Sequence, residues 1–149
     1  MKTICSTLLV ALLCLASCSY NGTPETGRSE IPFEMAQRYF FKNGQAIPTD
    51  PKVTTAEDFG RLFGMATVMG PNGRPTEIDF DRQFAITIVL PVTDRETEIV
   101  PLRVELAGDT LHYAYRVTTG EQMSFSMQPL SIILLDKQYQ DKPLVLDPQ

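Results

Sequence analysis

Phe84-Ala85-Ile86-Thr87-Ile88-Val89-Leu90 is the stretch on which the fold turns. Seven nearly continuous apolar residues, rich in β-branched side chains, fit a strand covered on both faces. Downstream the period stays twofold. Val100, Leu102, Val104 and Leu106 alternate with polar residues up to a turn at Ala107-Gly108-Asp109. Leu111, Tyr113, Tyr115 and Val117 alternate again as far as Thr119-Gly120-Glu121. Met123, Phe125 and Met127 follow, and Leu130 to Leu135 closes the series. Strands joined by short turns predict a mainly antiparallel meander of four to six strands. Pro101, which has no N–H to donate, implies an edge or a strand start there.

Upstream the period is helical. Phe33, Ala36 and Phe40 recur at i, i+3 and i+7 behind Pro32, with Asn43-Gly44 as a stop, and predict a helix over Pro32–Lys42, with a strand starting at Tyr39-Phe40-Phe41 as the alternative. A second helix is marked by the capping-box spacing of Thr54 and Glu57, the stripe Phe59, Leu62 and Phe63, and a closing Gly64. The fold expected is therefore α+β, with two N-terminal helices packed on one face of the meander sheet.

The N-terminus carries an address. Met1-Lys2-Thr3 is a short basic start, and the apolar run from Ile4 to Leu15 is too short for a permanent span of about 20 residues. It suits the apolar region of a secretory signal. Leu15-Ala16-Ser17-Cys18 then matches the bacterial lipobox, in which the Cys18 thiol is diacylated and becomes the mature N-terminus. Cleavage after residue 17 leaves 132 of the 149 residues and takes Cys5 and Cys14 away, so no thiol remains for a disulfide, a metal or a nucleophile. Residues 1–17 read as signal peptide and 18–30 as lipidated Cys and flexible tether, the stretch Ser19–Glu30 being rich in turn signals. A single domain, 31–149, follows. Two acyl chains anchor stably. Ser19 after Cys18 indicates the outer membrane, with no adjacent acidic cluster to mark surface export, so the periplasmic face is favoured.

Charge and composition exclude several classes of function. A formal charge of −5, which becomes −6 once Lys2 is lost with the signal, argues against nucleic-acid binding. The chain has one His, His112, which points away from the apolar face that Leu111 and Tyr113 define. It has no nucleophile elbow, phosphate loop or dinucleotide glycine pattern, so no catalytic residue, cofactor or metal is assigned. Two alternating carboxylate trios, Glu77/Asp79/Asp81 and Asp94/Glu96/Glu98, could face a hard cation or a glycosidic bond if they converged. The plainer reading is solvated strand edges paired with Arg82, Arg95 and Arg103.

The stretch GRLFGMATVMGPNGRP, residues 60–75, holds four of the nine glycines and a Met-rich centre. Gly-flanked Met residues make adaptable apolar contacts. Met65, Val68 and Met69, with Asp94, Arg95 and Glu96 of the following hairpin, are the candidate partner-binding residues. Buried strand residues are the alternative for the first three.

The lipobox and the order helix, FGMATVMGPNGRPTEIDF, meander resemble small outer-membrane lipoproteins of gut-dwelling Gram-negative bacteria, a likeness that brings no activity with it. The helix TAEDFGRLF, the step Pro75-Thr76-Glu77-Ile78-Asp79-Phe80 and the strand FAITIVL are also similar to the C-terminal domain of the lipoprotein subunit of a spirochaete protease complex. That family's Gly-Gly-Tyr segment is replaced here by Pro91-Val92-Thr93-Asp94-Arg95-Glu96. The function expected is a non-enzymatic envelope lipoprotein that binds another envelope protein, with regulation or inhibition of a protease implied by resemblance. The alternatives are a small-ligand or glycan binder, with Tyr113 and Tyr115 lining its surface, and last a carboxylate-dependent hydrolase. Radiolabelled palmitate is expected to label the protein in the producing bacterium and to spare a Cys18→Ala variant; label retained on that variant would remove the lipoprotein assignment.

Overall fold

The computed structural model describes residues 27–70 and 73–149. The signal segment and Cys18 lie outside them. The described chain forms ten strands and a single seven-residue α-helix. Its centre is one long β-hairpin spanning residues 83–136, bent back on itself. At the base β6 (Gln83–Val89) pairs with β9 (Leu130–Asp136), in register from Gln83↔Asp136 to Val89↔Leu130. Toward the turn at Gly108 and Asp109, β7 (Thr93–Ala107) pairs with β8 (Thr110–Met127). Leu90 N–H donates to Pro129 O at 2.9 Å and carries the ladder into the bend. Pro91 sits just beyond it, and neither proline can donate to a ladder. Base and tip thereby become two facing sheets.

Short strands extend both sheets at their edges. In the first, β1 (Arg28–Ile31) joins β7 antiparallel and β10 (Leu144–Pro148) joins β8 in parallel, giving the order β1-β7-β8-β10. In the second, β2 (Glu34–Met35) flanks β9 and β4 (Lys52–Val53) flanks β6, giving β2-β9-β6-β4. Between the sheets Phe84, Ile86, Ile88, Ile133 and Leu135 meet Ile31, Ile99, Val104, Leu111, Tyr113 and Tyr115. Each such side chain contributes about 1.5–3 kcal/mol when fully buried. The alternate residues of the second sheet, Ala85, Val89, Ile132 and Leu134, point to its other face and pack under α1 (Ala56–Leu62) and a two-stranded sheet of β3 (Tyr39–Phe41) and β5 (Phe63–Met65). Thus FAITIVL is covered on both faces, as its unbroken apolar run requires.

Two expectations are corrected. The molecule is not an α+β domain with two helices on a meander. Residues Pro32–Lys42 form β2 and β3 rather than a helix, because this segment finds ladder partners on β9 and β5 and Arg38 takes a positive φ of 66° between them. The second helix does form, one residue late and short: Thr55 rather than Thr54 caps it, accepting from Asp58 N–H at 3.1 Å, and Phe63 and Gly64 already belong to β5. The meander also fails as a single sheet, since β6 pairs with β9 and not with β7. Pro101 lies inside a strand, at an irregularity where one extra residue enters between Pro101↔Tyr115 and Arg103↔Ala114, and β1 covers only residues 104–107 of that strand. A bulge removes the need for the missing donor.

Tyr113 and Tyr115 are buried core residues. Tyr113 Oη and Ser131 Oγ are both buried without a hydrogen-bond partner. Burial pushes the Tyr113 hydroxyl up to about 12, against a smaller opposing effect of the Ser131 hydroxyl. Folding therefore favours the neutral phenol. Stability from this group is complete below its ordinary value near 10 and falls as pH climbs toward 12. Tyr113→Phe, which removes an unpaired buried hydroxyl, is expected to leave stability at pH 7 unchanged or raise it by up to about 1 kcal/mol. It is also expected to lessen the loss between pH 10 and 12 in denaturant titrations; an unchanged loss would assign alkaline unfolding to other groups.

Candidate functional site

The layer over the second sheet holds the most unusual surface. After β5 the chain leaves as a finger, described at residues 66–70 and 73–76, whose base is fastened to the segment before β3. Ala66 N–H donates to Arg38 O at 2.8 Å, Thr76 N–H to Gln37 O at 3.2 Å, and Gln37 N–H to Thr76 Oγ1 at 3.0 Å. The Tyr39 hydroxyl donates to Thr76 O at 2.5 Å. Higher up, Val68 N–H donates to Gly73 O at 3.0 Å and Gly73 N–H to Gly70 O at 3.1 Å. Gly73 is obligatory here, since a Cβ at this position would lie 1.8 Å from Val68 O. Gly70, at a φ of +119°, adopts backbone that side chains avoid.

The finger presents apolar side chains to water. Met65 is 70% exposed, Val68 52%, and Met69 fully exposed. These residues are therefore surface and not core, and the buried-strand alternative is confined to Phe63. Scattered exposed apolar residues are ordinary, but here three fall within five positions, Met65 at the end of β5 and Val68 and Met69 on the hydrogen-bonded finger.

Beside the finger's base lies a cleft of about 630 Å³. Its floor is an aromatic cluster centred on Phe59. The ring of Tyr39 stands edge-on to it at 5.0 Å, Phe63 lies at 4.8 Å and Phe80 at 5.5 Å between centroids. Ile78 and Met65 form walls, and Arg74 and Glu77 stand at the exposed rim. Burial raises the Tyr39 hydroxyl above its ordinary value, with a further push from the Glu77 carboxylate. Two small residues one helical turn apart, Ala56 and Gly60, form the α1 side. Glycine inside a helix costs roughly 0.5–1 kcal/mol relative to alanine. Neither an unusual φ nor a steric neighbour explains Gly60, for a Cβ there would meet nothing within 4 Å.

The other candidate residues lie on a separate element, the exposed ribbon where β7 and β8 run between the two sheets. Gln122 Nε2 donates to Asp94 Oδ2 at 2.7 Å and Arg95 Nη2 to Gly120 O at 2.6 Å, while Glu96 packs over Gly120. Thr93 Oγ1 accepts from Arg95 N–H at 3.1 Å and Thr97 Oγ1 donates to Arg95 O at 3.0 Å, which blunts this edge against further pairing. No hydrogen bond or ion pair among the described residues joins the ribbon to the finger. Phe125 of the same ribbon is 62% exposed, at a bulge where Met123–Ser126 oppose Asp94 alone.

The carboxylate trios do not converge. Glu77, Asp79 and Asp81 leave extended geometry at a turn in which Asp79 accepts from Asp81 N–H at 3.0 Å and its carbonyl from Gln83 N–H at 2.7 Å. No cluster of three or more acidic, His or Cys side chains suited to a metal occurs among the described residues. Arg103 pairs with Glu105 at 3.3 Å and not with either trio. His112 Nδ1 lies 3.2 Å from Asp147 Oδ2 of β10 and ties that strand to β8. No helix of the described residues is long and apolar enough to cross a membrane.

The cleft floor is not legible in the sequence, because Tyr39 stands in a segment whose spacing predicts a helix and Phe80 lies between the carboxylates Asp79 and Asp81. Gly60, out of place in a helical pattern, was the available signal. No protein-family model, no curated protein and no solved structure matches the chain. Gly73→Ala is expected to cost about 1–3 kcal/mol in thermal unfolding. The accompanying amide shift changes should stay within residues 64–80, and a wild-type melting curve would show that the finger's tight closure is not maintained in solution.

Proposed function

We propose that this protein is a non-enzymatic, lipid-anchored module of the cell envelope, held at the periplasmic face of the outer membrane, that binds another protein through its finger. One observation carries the reading: Met65, at the end of β5, and Val68 and Met69, on a loop whose base is hydrogen-bonded to the fold at four points, all stand exposed. Apolar groups held in one conformation lose little entropy on docking, so their burial converts efficiently into affinity. Methionine adapts to the surface it meets. The lipobox at Leu15–Cys18 supplies the anchor and the segment after it the reach. The ribbon residues Asp94, Arg95 and Glu96 would form a polar rim, if the partner is broad enough to reach both elements. A standard interface takes about 800 Å² per partner. By resemblance the partner is an envelope protease, which the protein would regulate or inhibit.

The test is affinity capture from native envelope extract with the tagged chain and its Met69→Asp variant. Met69 touches no core, so the variant is expected to melt as wild type does and to lose one dominant partner, with affinity weakened about tenfold or more. Equal recovery of that partner by both proteins would move the contact away from the finger.

A further inference from the structure

We propose that the cleft between α1 and the base of the finger is a binding site for a small, neutral, apolar molecule carrying a planar ring, a site that adjoins the protein contact and shares Met65 with it, while Val68 and Met69 lie outside its lining. Three observations converge. The volume, about 630 Å³, falls within the range of ligand pockets, and the lining is predominantly apolar with few polar groups. The floor is built from the rings of Tyr39, Phe59, Phe63 and Phe80, packed at 4.8–5.5 Å around Phe59. Such a cluster offers ring faces and edges to a flat guest. The third observation is Gly60. A glycine in the middle of a seven-residue helix weakens it, yet here no neighbour and no backbone strain demands one. Gly60 lines the cleft, and the missing side chain leaves open space there.

The charges at the mouth set the ligand class. Arg74 and Glu77 both line the cleft, one of each sign, and neither takes part in an ion pair among the described residues. A strongly anionic ligand would meet Glu77 and a cationic one Arg74. A neutral molecule is repelled by neither, with Thr67 and Thr76 available to bond a hydroxyl or carbonyl on it. The thiol-free, carboxylate-poor lining has no group that would transform such a molecule, so the site binds rather than reacts.

The probe is N-phenyl-1-naphthylamine, neutral and fluorescent in apolar surroundings, titrated into the purified protein. Saturable one-site binding is expected, at least about tenfold tighter than that of the anionic 8-anilinonaphthalene-1-sulfonate. Gly60→Trp fills the cleft from the helix and is expected to reduce binding about tenfold or more while the melting temperature holds or rises. Met69→Asp, at a residue that does not line the cleft, should bind the probe as wild type does even as it loses its protein partner. Amide shifts on titration of wild type should centre on Ala56, Gly60 and Ile78, a readout that stands should the tryptophan variant fail to fold. Absence of saturable binding, full binding by a folded Gly60→Trp, or shifts centred elsewhere would each overturn the assignment.

Discussion

One hairpin, bent so that its two halves face each other, is the constraint on which everything else rests. Residues 83–136 provide the two central strands of both sheets, and the side chains of the base pack on those of the tip. A ribbon cannot fold over in this way while its ladder is regular. It is broken at Pro91 and Pro129, and three register shifts follow in the β7–β8 ladder, each adding the local bend and twist that a bulge allows. The remaining strands are accessories. β1, β2, β4 and β10 each cap an edge over two to five residues, which limits the open backbone at the ends of the sheets.

Once the hairpin has closed, its base is left with a second apolar face, for β6 and β9 are hydrophobic at every position but a few. That face must be covered. The chain does so with modest means: a helix of seven residues and a pair of three-residue strands, held together by the aromatic cluster around Phe59. So small a cover cannot fill the whole space between itself and the loop 74–80. The cleft is the unfilled remainder, and the finger is the excursion the chain makes between its two walls.

The sequence made strands legible and their partners illegible. Twofold alternation marks Leu111, Tyr113 and Tyr115 as inward-facing, and all three are buried. It carries no information on whether Val104 faces a neighbour's strand or the opposite sheet, so a meander and a bent hairpin look alike. The helix over Pro32–Lys42 rested on Phe33, Ala36 and Phe40, a spacing that arose without a helix. The pattern within β3 itself is twofold, with Phe41 buried and Phe40 48% exposed. Short strands of two or three residues offer too few positions for any period to show, and their conformation is imposed by the ladders they join. The finger announced itself through Gly and Pro, because turn chemistry is local. The cleft could not, since its floor collects Tyr39, Phe59, Phe63 and Phe80 from segments that only the finished fold brings together.

The division of labour between the two cores bears on how such a site can vary. The inter-sheet core holds the largest fully buried side chains, among them Tyr113, Phe84, Ile86 and Leu111, and none of these lines the cleft or the finger. Changes at the finger tip or the cleft walls therefore leave the main source of stability untouched, while the floor residue Phe59 belongs to the outer core and is bound to it. Met65, Val68, Met69 and Gly60 are free to change with whatever they contact, and Gly73 and the aromatic floor are not. A surface built of variable groups on a fixed aromatic base is suited to recognition.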